Sequence, residues 1–138
     1  MDEFLIGSTD GIGSLLFYDR SPLDSQLPLE HFWVRVTDLN LSAAGRVCEG
    51  YVSGHPARLF AELAHQWSGW PDELTWESIE GELLLRCSHD GLGHIAICVE
   101  LRSGYMPDDW RVSATVFAEA GQLEVIARRA ALFFGQSR

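Results

Sequence analysis

The segment from Gly81 to Arg102, GELLLRCSHDGLGHIAICVELR, constrains the fold more than any other part of the chain. Two runs rich in Leu, Ile and Val flank a Gly-Leu-Gly sequence, and this pattern is typical of a β-hairpin. In the first run the alternate residues Leu83, Leu85 and Cys87 are all apolar, and a second apolar series begins at Ile95. Directly opposed residues of antiparallel strands share a face, so we expect the two series to oppose each other.

This requirement predicts a register for the hairpin and a loop that joins its strands. The connection has an odd number of residues, and a three-residue loop, 90–92, with Gly93 in the left-handed conformation, is one solution. His89 and His94 then point to opposite faces of the sheet, and so do Cys87 and Cys98, which argues against a disulfide between the two cysteines unless a bulge breaks the alternation. The predicted facing pairs are Leu83 with Val99, Leu85 with Ile97 and Cys87 with Ile95.

The same turn is also the first place to look for chemistry, because His89, Asp90 and His94 crowd it. Imidazole and carboxylate groups can bind a metal ion, and a histidine oriented by Asp90 can act as a general base. The opposed faces of the two histidines argue against a shared metal site, which only a bulge would restore. We therefore interpret the turn as structural and predict no catalytic residue, no metal and no cofactor. A small metal-binding protein or hydrolase that uses this turn is the alternative.

Six further segments have the alternation or apolar content of strands. His31 to Thr37 is the clearest, with Phe32, Val34 and Val36 on one face. Leu41 to Val52 is longer and less regular, with Gly45 and Gly50 as candidate bulges. The other predicted strands are 3–6, 14–19, 74–78 and 110–118.

Two segments have the apolar periodicity of amphipathic helices. The first begins at Pro56, with Ser53 or His55 as its cap, and ends before Gly69 and Pro71. The second runs from about Glu119 to Phe134. The apolar stripe of the first helix is Phe60, Leu63, Ala64 and Trp67, and that of the second is Leu123, Ile126, Ala127, Ala130, Phe133 and Phe134.

The order of these elements is four strands and a helix, and then four strands and a helix again. Runs of strands without βαβ alternation indicate an antiparallel sheet. We therefore predict an α+β fold: an antiparallel β-sheet or sandwich of about eight strands with two amphipathic helices. The repeated order suggests an internal ββββα duplication. No linker divides the chain, so residues 1–138 are predicted to form a single domain.

The charge of the chain narrows the classes of partner. Twenty acidic residues oppose ten arginines, no lysine occurs, and the formal net charge is −10. Affinity for nucleic acid comes largely from cationic contacts to phosphate, so we expect no nucleic-acid ligand. No apolar run is long enough to span a bilayer, and the acidic N-terminus is unlike a signal peptide. With three cysteines and no CxxC pair, a reduced cytoplasmic location fits best.

Acidic residues and tryptophans are concentrated just before the hairpin. A solvated face is the ordinary interpretation of such an acidic run, and a binding surface is the other. A pair of these carboxylates that catalyses hydrolysis is a further alternative, because the distance between two carboxylates in space does not follow from the sequence. Tryptophan at such a place either covers the core or anchors an interface. The residues concerned are Asp72, Glu73, Glu77, Glu80 and Glu82, together with Trp67, Trp70 and Trp76.

Several of these segments together resemble the WapI-type immunity proteins and related uncharacterised bacterial domain families. The resemblance extends from about Leu15 to Phe134, and it is carried by FWVRV, the helix around LFAELAHQW, and GELLLRCSHDGLGHIAICVEL. The segment DDWRVSATVFAEAGQLEVI departs from WapI itself, in lacking an acidic-aromatic stretch. The resemblance implies a small cytoplasmic protein without catalysis, which binds and inactivates a cognate bacterial toxin.

Many toxins of this kind are nucleases with cationic surfaces, and an acidic chain is compatible with covering one. The partner expected from the resemblance is thus a protein toxin, such as a basic nuclease. The predicted contact residues are Trp70, Glu73, Glu77 and Glu80. A structural or oligomerising module is a further alternative, and the sequence predicts no particular oligomeric state.

Overall fold

The computed structural model describes residues 2–24, 26–49 and 55–135. These residues form two four-stranded antiparallel sheets, and a helix follows each sheet in the chain. The first sheet contains β1 (Glu3–Gly7), β2 (Ser14–Ser21), β3 (His31–Asp38) and β4 (Leu41–Cys48), and helix α1 (Ala57–His65) follows it. The second sheet contains β5 (Leu74–Glu77), β6 (Leu83–His89), β7 (His94–Arg102) and β8 (Arg111–Glu119), followed by a 3₁₀ turn (Ala120–Gln122) and helix α2 (Leu123–Phe134).

Within each sheet the strands lie side by side in chain order. The predicted eight strands and two helices are confirmed, and so is the order of four strands and a helix in both halves. Gly45 was expected as a bulge, but the pairing of β3 with β4 continues through it without a shift. The register shift instead occurs in β2 between Tyr18 and Ser21, where Asp19 has a φ of 48°. The other bulge candidate, Gly50, lies outside the described residues.

The strands alternate buried and exposed residues, as their sequences predict. The buried residues of both sheets and both helices form one hydrophobic core. Phe32, Val34 and Val36 of β3 are all completely buried. A Cβ on Gly45 would lie 3.5 Å from the Leu101 side chain. This is an ordinary van der Waals distance, so β4 lies close to β7 at Gly45 without a bulge and without strain.

Both helices close the core through aromatic contacts. Phe134 of α2 packs edge-on against Phe17 and Phe32, with ring centroids 5.2 Å apart in each case. Phe60 of α1 packs in the same way against Phe4, at 5.6 Å. Because edge-to-face contacts fix ring orientation as well as distance, this cluster holds the helices in position on the first sheet.

The ends of α1 differ from expectation. Pro56 occupies the cap position and no side chain caps the helix, so His55 is not a side-chain cap; Ser53 lies outside the described residues. The helix ends at His65, and Trp67 therefore falls beyond the last turn. Phe60 and Leu63 are buried as predicted. In α2 the predicted stripe is confirmed, with Ala127 partly buried and the other members buried.

Hydrogen bonds join the turn after β1 to edge strand β8 of the second sheet. The Thr9 amide donates a hydrogen bond to the Phe117 carbonyl (3.0 Å), and the Phe117 amide donates to Ser8 Oγ (2.9 Å). These bonds pair backbone groups of edge strand β8 that would otherwise be exposed to solvent. Among the described helices, none is both long and apolar enough to cross a membrane.

The central hairpin has the predicted facing but a different register. Leu83 pairs with Leu101, Leu85 with Val99, and Cys87 with Ile97, so the predicted register is wrong by two residues. His89 continues the first strand and faces Ile95. The connection consequently has four residues, 90–93, instead of three.

Candidate partner-binding surface

The polar groups of the central turn are engaged in holding the turn itself. Asp90 Oδ1 accepts hydrogen bonds from the amides of Leu92 (2.7 Å) and His94 (3.1 Å). Its other oxygen, Oδ2, accepts one from His94 Nδ1 at 2.6 Å. These bonds, with that from the Leu92 amide the largest effect, hold the pKa of Asp90 at about 2. Gly91 and Gly93 have φ angles of 81° and 91°, which side chains other than glycine adopt only at a cost.

Both ring nitrogens of His89 are also engaged. The Gly91 amide donates to His89 Nδ1 at 2.9 Å, so the ring proton is on Nε2, which donates to the Trp67 carbonyl at 3.0 Å. The imidazole lies edge-on to the Trp70 indole, with ring centroids 5.0 Å apart. His89 therefore fastens the hairpin to the segment that follows α1, and neither of its nitrogens is available as a metal ligand in this arrangement.

His89 and His94 do lie on opposite faces of the sheet, as predicted, because His89 shares the side of Ile95. In the part of the chain that the structure describes, the turn does not form a group with metal-ligand geometry. Cys87 and Cys98 are both free thiols, which confirms that they form no disulfide. Burial raises the pKa of the Cys87 thiol to about 12.

Trp70 does not belong to the predicted contact surface. Its side chain is only 7% exposed, and its indole Nε1 donates to the Cys87 carbonyl at 3.0 Å. The tryptophan at this end of the molecule that faces solvent is Trp67, which is 61% exposed. The sequence placed Trp67 on the buried stripe of α1, but the helix ends at His65 and the periodicity does not apply beyond it.

The three acidic residues predicted as contacts, Glu73, Glu77 and Glu80, are all exposed, and we call them the acidic surface. Glu73 precedes edge strand β5 and Glu77 ends it, so alternation places both carboxylates on the outer side of the second sheet. No hydrogen bond or salt bridge engages these three side chains among the described residues. Their charges face solvent, and Glu73 lies near enough to the Arg86 guanidinium to be attracted by it.

Glu80 is held outward by the turn between β5 and β6. The buried Ser78 hydroxyl donates to Glu82 Oε1 (2.7 Å) and accepts from the Leu83 amide (3.0 Å). Glu82 is itself 5% exposed, and its Oε2 accepts the Cys48 amide at 3.0 Å. With Ser78 and Glu82 turned inward, Ile79 and Glu80 form the exposed tip of the turn, and Ile79 is 55% exposed.

One group of side chains in the described residues has the spacing of metal ligands: Cys48, Glu80 and Glu82, whose ligand atoms lie within 4.8 Å of one another. Burial and the neighbouring Glu82 carboxylate raise the pKa of the Cys48 thiol, so the thiol stays protonated at neutral pH. Since Glu82 is already engaged by Ser78 and the Cys48 amide, its geometry is explained by the fold.

The arrangement can attract a cationic surface and offers it apolar contacts as well. Trp67 and Ile79 supply exposed apolar area, and the acidic surface supplies unpaired charge. The sequence did not single out Ile79, and it left open whether Trp67 covers the core or anchors an interface. A stop signal for α1 before Trp67 would have favoured the second. Interfaces are typically built in this way, with a few aromatic anchors among polar groups.

Comparison with known proteins gives a family match and one distant fold likeness. Residues 6–137 match the model of DUF6228, described as a family of unknown function. No protein with a curated description matches the chain. The solved structure of the plant transcriptional regulator PBF-2 is similar over 96% of this chain and 79% of that one, with 12% identity and a TM-score of 0.48. At that score the likeness carries no functional argument.

Proposed function

The chain belongs to the DUF6228 family, and we propose that it is a non-catalytic protein that neutralises a cognate bacterial toxin by binding it directly. The resemblance to the WapI-type immunity proteins motivates the toxin as partner. We further propose that the protein acts in the cytoplasm.

The acidic surface is the observation that carries the proposal. Three exposed carboxylates without a hydrogen bond or salt bridge in the described residues lie on edge strand β5 and the segments beside it, in a chain of net charge −10 that contains no lysine. Such a surface accelerates encounter with a basic partner, since complementary charge raises association rates by orders of magnitude at low salt. A basic nuclease fits this requirement. Trp67 replaces Trp70 as the proposed aromatic contact, because Trp67 is exposed.

The turn at His89, Asp90 and His94 favours binding over catalysis. A general base or metal ligand needs a nitrogen or oxygen directed at a substrate or ion. Here both nitrogens of His89 bond backbone groups, and Asp90 accepts three bonds within the turn. This geometry explains His89 and Asp90 as structural and supports a protein without catalysis. The exposed His94 bonds Asp90 through Nδ1, and its Nε2 has no hydrogen bond within the described residues, so His94 is the residue of the turn on which the alternative, catalytic function would depend.

The repeated order of elements supports a finer proposal about the fold. Each half has four antiparallel strands in chain order followed by one helix. We infer that the halves arose by duplication of a ββββα unit. Superposition of residues 3–65 on residues 74–134, omitting 25 and 50–54, tests this: equivalent strands should overlay in the same order and direction, and a mismatch of strand directions would contradict it.

Co-expression tests the proposed function. The protein encoded beside this chain is produced with it in a host that lacks both, and growth is scored. We expect the chain to relieve toxicity and to copurify with its neighbour in a stable complex. The matched control is the His94→Gln variant, which alters the exposed turn and should protect as well as the unchanged chain.

Two results would contradict the proposal. One is a neighbouring protein that is not toxic and does not copurify with the chain. The other is protection that is lost in His94→Gln but kept when the acidic surface is neutralised. The second result would return the function to the turn.

A further inference from the structure

Arg20 is a buried cation at the junction of the first sheet with α2. Its side chain is 4% exposed, and all its hydrogen bonds go to backbone carbonyls. Nε donates to the Phe133 carbonyl at 2.9 Å, and Nη2 donates to the Phe134 carbonyl at 3.0 Å. The other acceptors are the carbonyls of Pro22, Asp24 and Leu27.

Two of these five acceptors are carbonyls at the C-terminal end of α2. Such groups have no partner within a helix and carry the negative end of its dipole, so a guanidinium is well placed there. Arg20 thereby caps α2 and ties its end to the loop after β2. Arg20 supplies the cation that this end of α2 favours, and its positive charge repels a second cation beside Phe134.

His55 lies against the same end of α2. Its ring stacks on the Phe134 ring, with centroids 5.8 Å apart and planes within 11°. Its Nδ1 is buried and has no hydrogen-bond partner among the described residues. His55 also directly precedes the first turn of α1, where its carbonyl accepts the Arg58 amide at 3.1 Å. A neutral imidazole fits this position as a flat, largely apolar ring.

Every charged group identified around His55 disfavours an imidazolium. Burial contributes most to lowering the pKa of His55, and the Arg20 guanidinium on β2 and the Arg58 guanidinium on α1 lower it further. The positive end of the α1 dipole acts in the same direction. Burial lowers the pKa of the Arg20 guanidinium, and the nearby acid Asp24 acts on Arg20 by partly offsetting that shift.

We propose that His55 is an acid-sensitive latch on the C-terminal end of α2, which protonation releases. A charged ring beside Arg20, Arg58 and the start of α1 is expelled toward water, the stacking on Phe134 is lost, and the last turn of α2 opens. His is the side chain whose ordinary titration lies nearest neutrality, so the latch responds to mild acidification. The inference concerns the fold and does not depend on the proposed binding function.

The direction of the effect follows from proton linkage. The lowered pKa of folded His55 means that the unfolded or opened form binds a proton more readily than the closed form. Closure is therefore unaffected at pH well above 6.5 and weakens as the pH falls below about 6.5, the ordinary value for histidine.

Hydrogen exchange at the end of α2 tests the latch. Protection factors for the amides of residues 131–135 are measured at pH 7.5 and pH 5.5, after correction for intrinsic exchange rates. We expect protection to fall at least about threefold at the lower pH in the unchanged chain. The His55→Phe variant keeps a flat ring without a titrating group, so its protection should be the same at both pH values.

His65→Gln is the control, because His65 is exposed at the end of α1 and should leave the pH response unchanged. A second readout is the NMR titration of the His55 ring, which should have its midpoint below 6.5. If His55→Phe fails to fold, His55→Gln serves, with protection at the end of α2 that is low at both pH values. A titration midpoint at or above 6.5, or a pH response in His55→Phe or His55→Gln equal to that of the unchanged chain, would overturn the latch.

Discussion

The central turn and the acidic surface both looked like functional sites in the sequence, and they use their polar groups in opposite ways. In the turn, Asp90 accepts three hydrogen bonds and His89 uses both ring nitrogens, all within the protein. On the acidic surface, the carboxylates have no hydrogen bond or salt bridge among the described residues. Polar groups bonded within the fold stabilise it, whereas unpaired exposed groups are available to a partner. This difference is the reason for proposing the acidic surface, and not the turn, as the binding site.

The largest expected effect separates the two tryptophans beside the acidic surface. Trp70→Ala removes a buried indole and its hydrogen bond to the Cys87 carbonyl, so it should lower the free energy of unfolding by about 3–5 kcal/mol. Trp67→Ala should change it by less than about 0.5 kcal/mol, because that side chain is exposed. Urea denaturation of both variants measures the two values.

A similar loss of stability in both tryptophan variants would mean that Trp67 packs on the fold. The proposed surface would then lack its aromatic anchor. The comparison is sharpest if the slopes of the denaturation curves match, since equal slopes show that the unfolded states are comparable.

The turn should be sensitive to backbone changes that leave its side chains alone. Gly91 has a φ of 81° and open space where a Cβ would be, so Gly91→Ala meets conformational strain without a clash. We expect a loss of about 1 kcal/mol in the free energy of unfolding. Gly121→Ala is a matched control, because the space is open there too and its φ is outside the left-handed region. An equal loss in both variants would contradict this account of the turn.

The turn should also keep its charge far into the acid range. The pKa of Asp90 is about 2, below its ordinary value of 3.8. A carboxyl group whose pKa is lowered by folding stabilises the fold at pH values above its ordinary pKa. This contribution disappears as the pH falls from about 4 toward 2. NMR titration of the Asp90 carboxyl carbon should therefore show no transition above pH 3. A midpoint near 4 would mean that its hydrogen bonds to the Leu92 and His94 amides do not persist in solution.

The smallest expected effect on stability is at the acidic surface. The triple variant Glu73→Gln, Glu77→Gln and Glu80→Gln removes three exposed charges that make no hydrogen bond or salt bridge within the described residues. The free energy of unfolding should change by no more than about 0.5 kcal/mol, and relief of charge repulsion would make the change favourable. A loss above about 1.5 kcal/mol would show that the carboxylates support the fold, and the contrast with the turn would fail.

Most of the fold followed from periodicity in the sequence, because a buried face must be apolar at every second strand residue or along one helix stripe. The register of the central hairpin did not follow. A shift by two residues keeps every side chain on its face, so the apolar pattern of Leu83, Leu85 and Cys87 is satisfied by both registers. In the observed register the turn has four residues, 90–93, and Asp90 accepts hydrogen bonds from the Leu92 and His94 amides across it.

The candidate site was less predictable, since it depends on where single residues lie relative to element ends. Trp67 and Trp70 are three positions apart, and only the end of α1 at His65 decides which of them faces solvent. His55 and Arg20 carried no motif in the sequence. Their association results from the end of α2 packing beside β2, a contact between residues more than a hundred positions apart.

The association rate constant with the copurifying toxin, measured against ionic strength, tests the central claim most directly. We predict that the triple Glu→Gln variant associates at least about tenfold more slowly than the unchanged chain in low salt, and that the difference shrinks as salt screens the charges. The His94→Gln variant should associate at the unchanged rate throughout. Equal rates for the triple variant and the unchanged chain, with a slower rate for His94→Gln, would contradict the assignment of binding to the acidic surface.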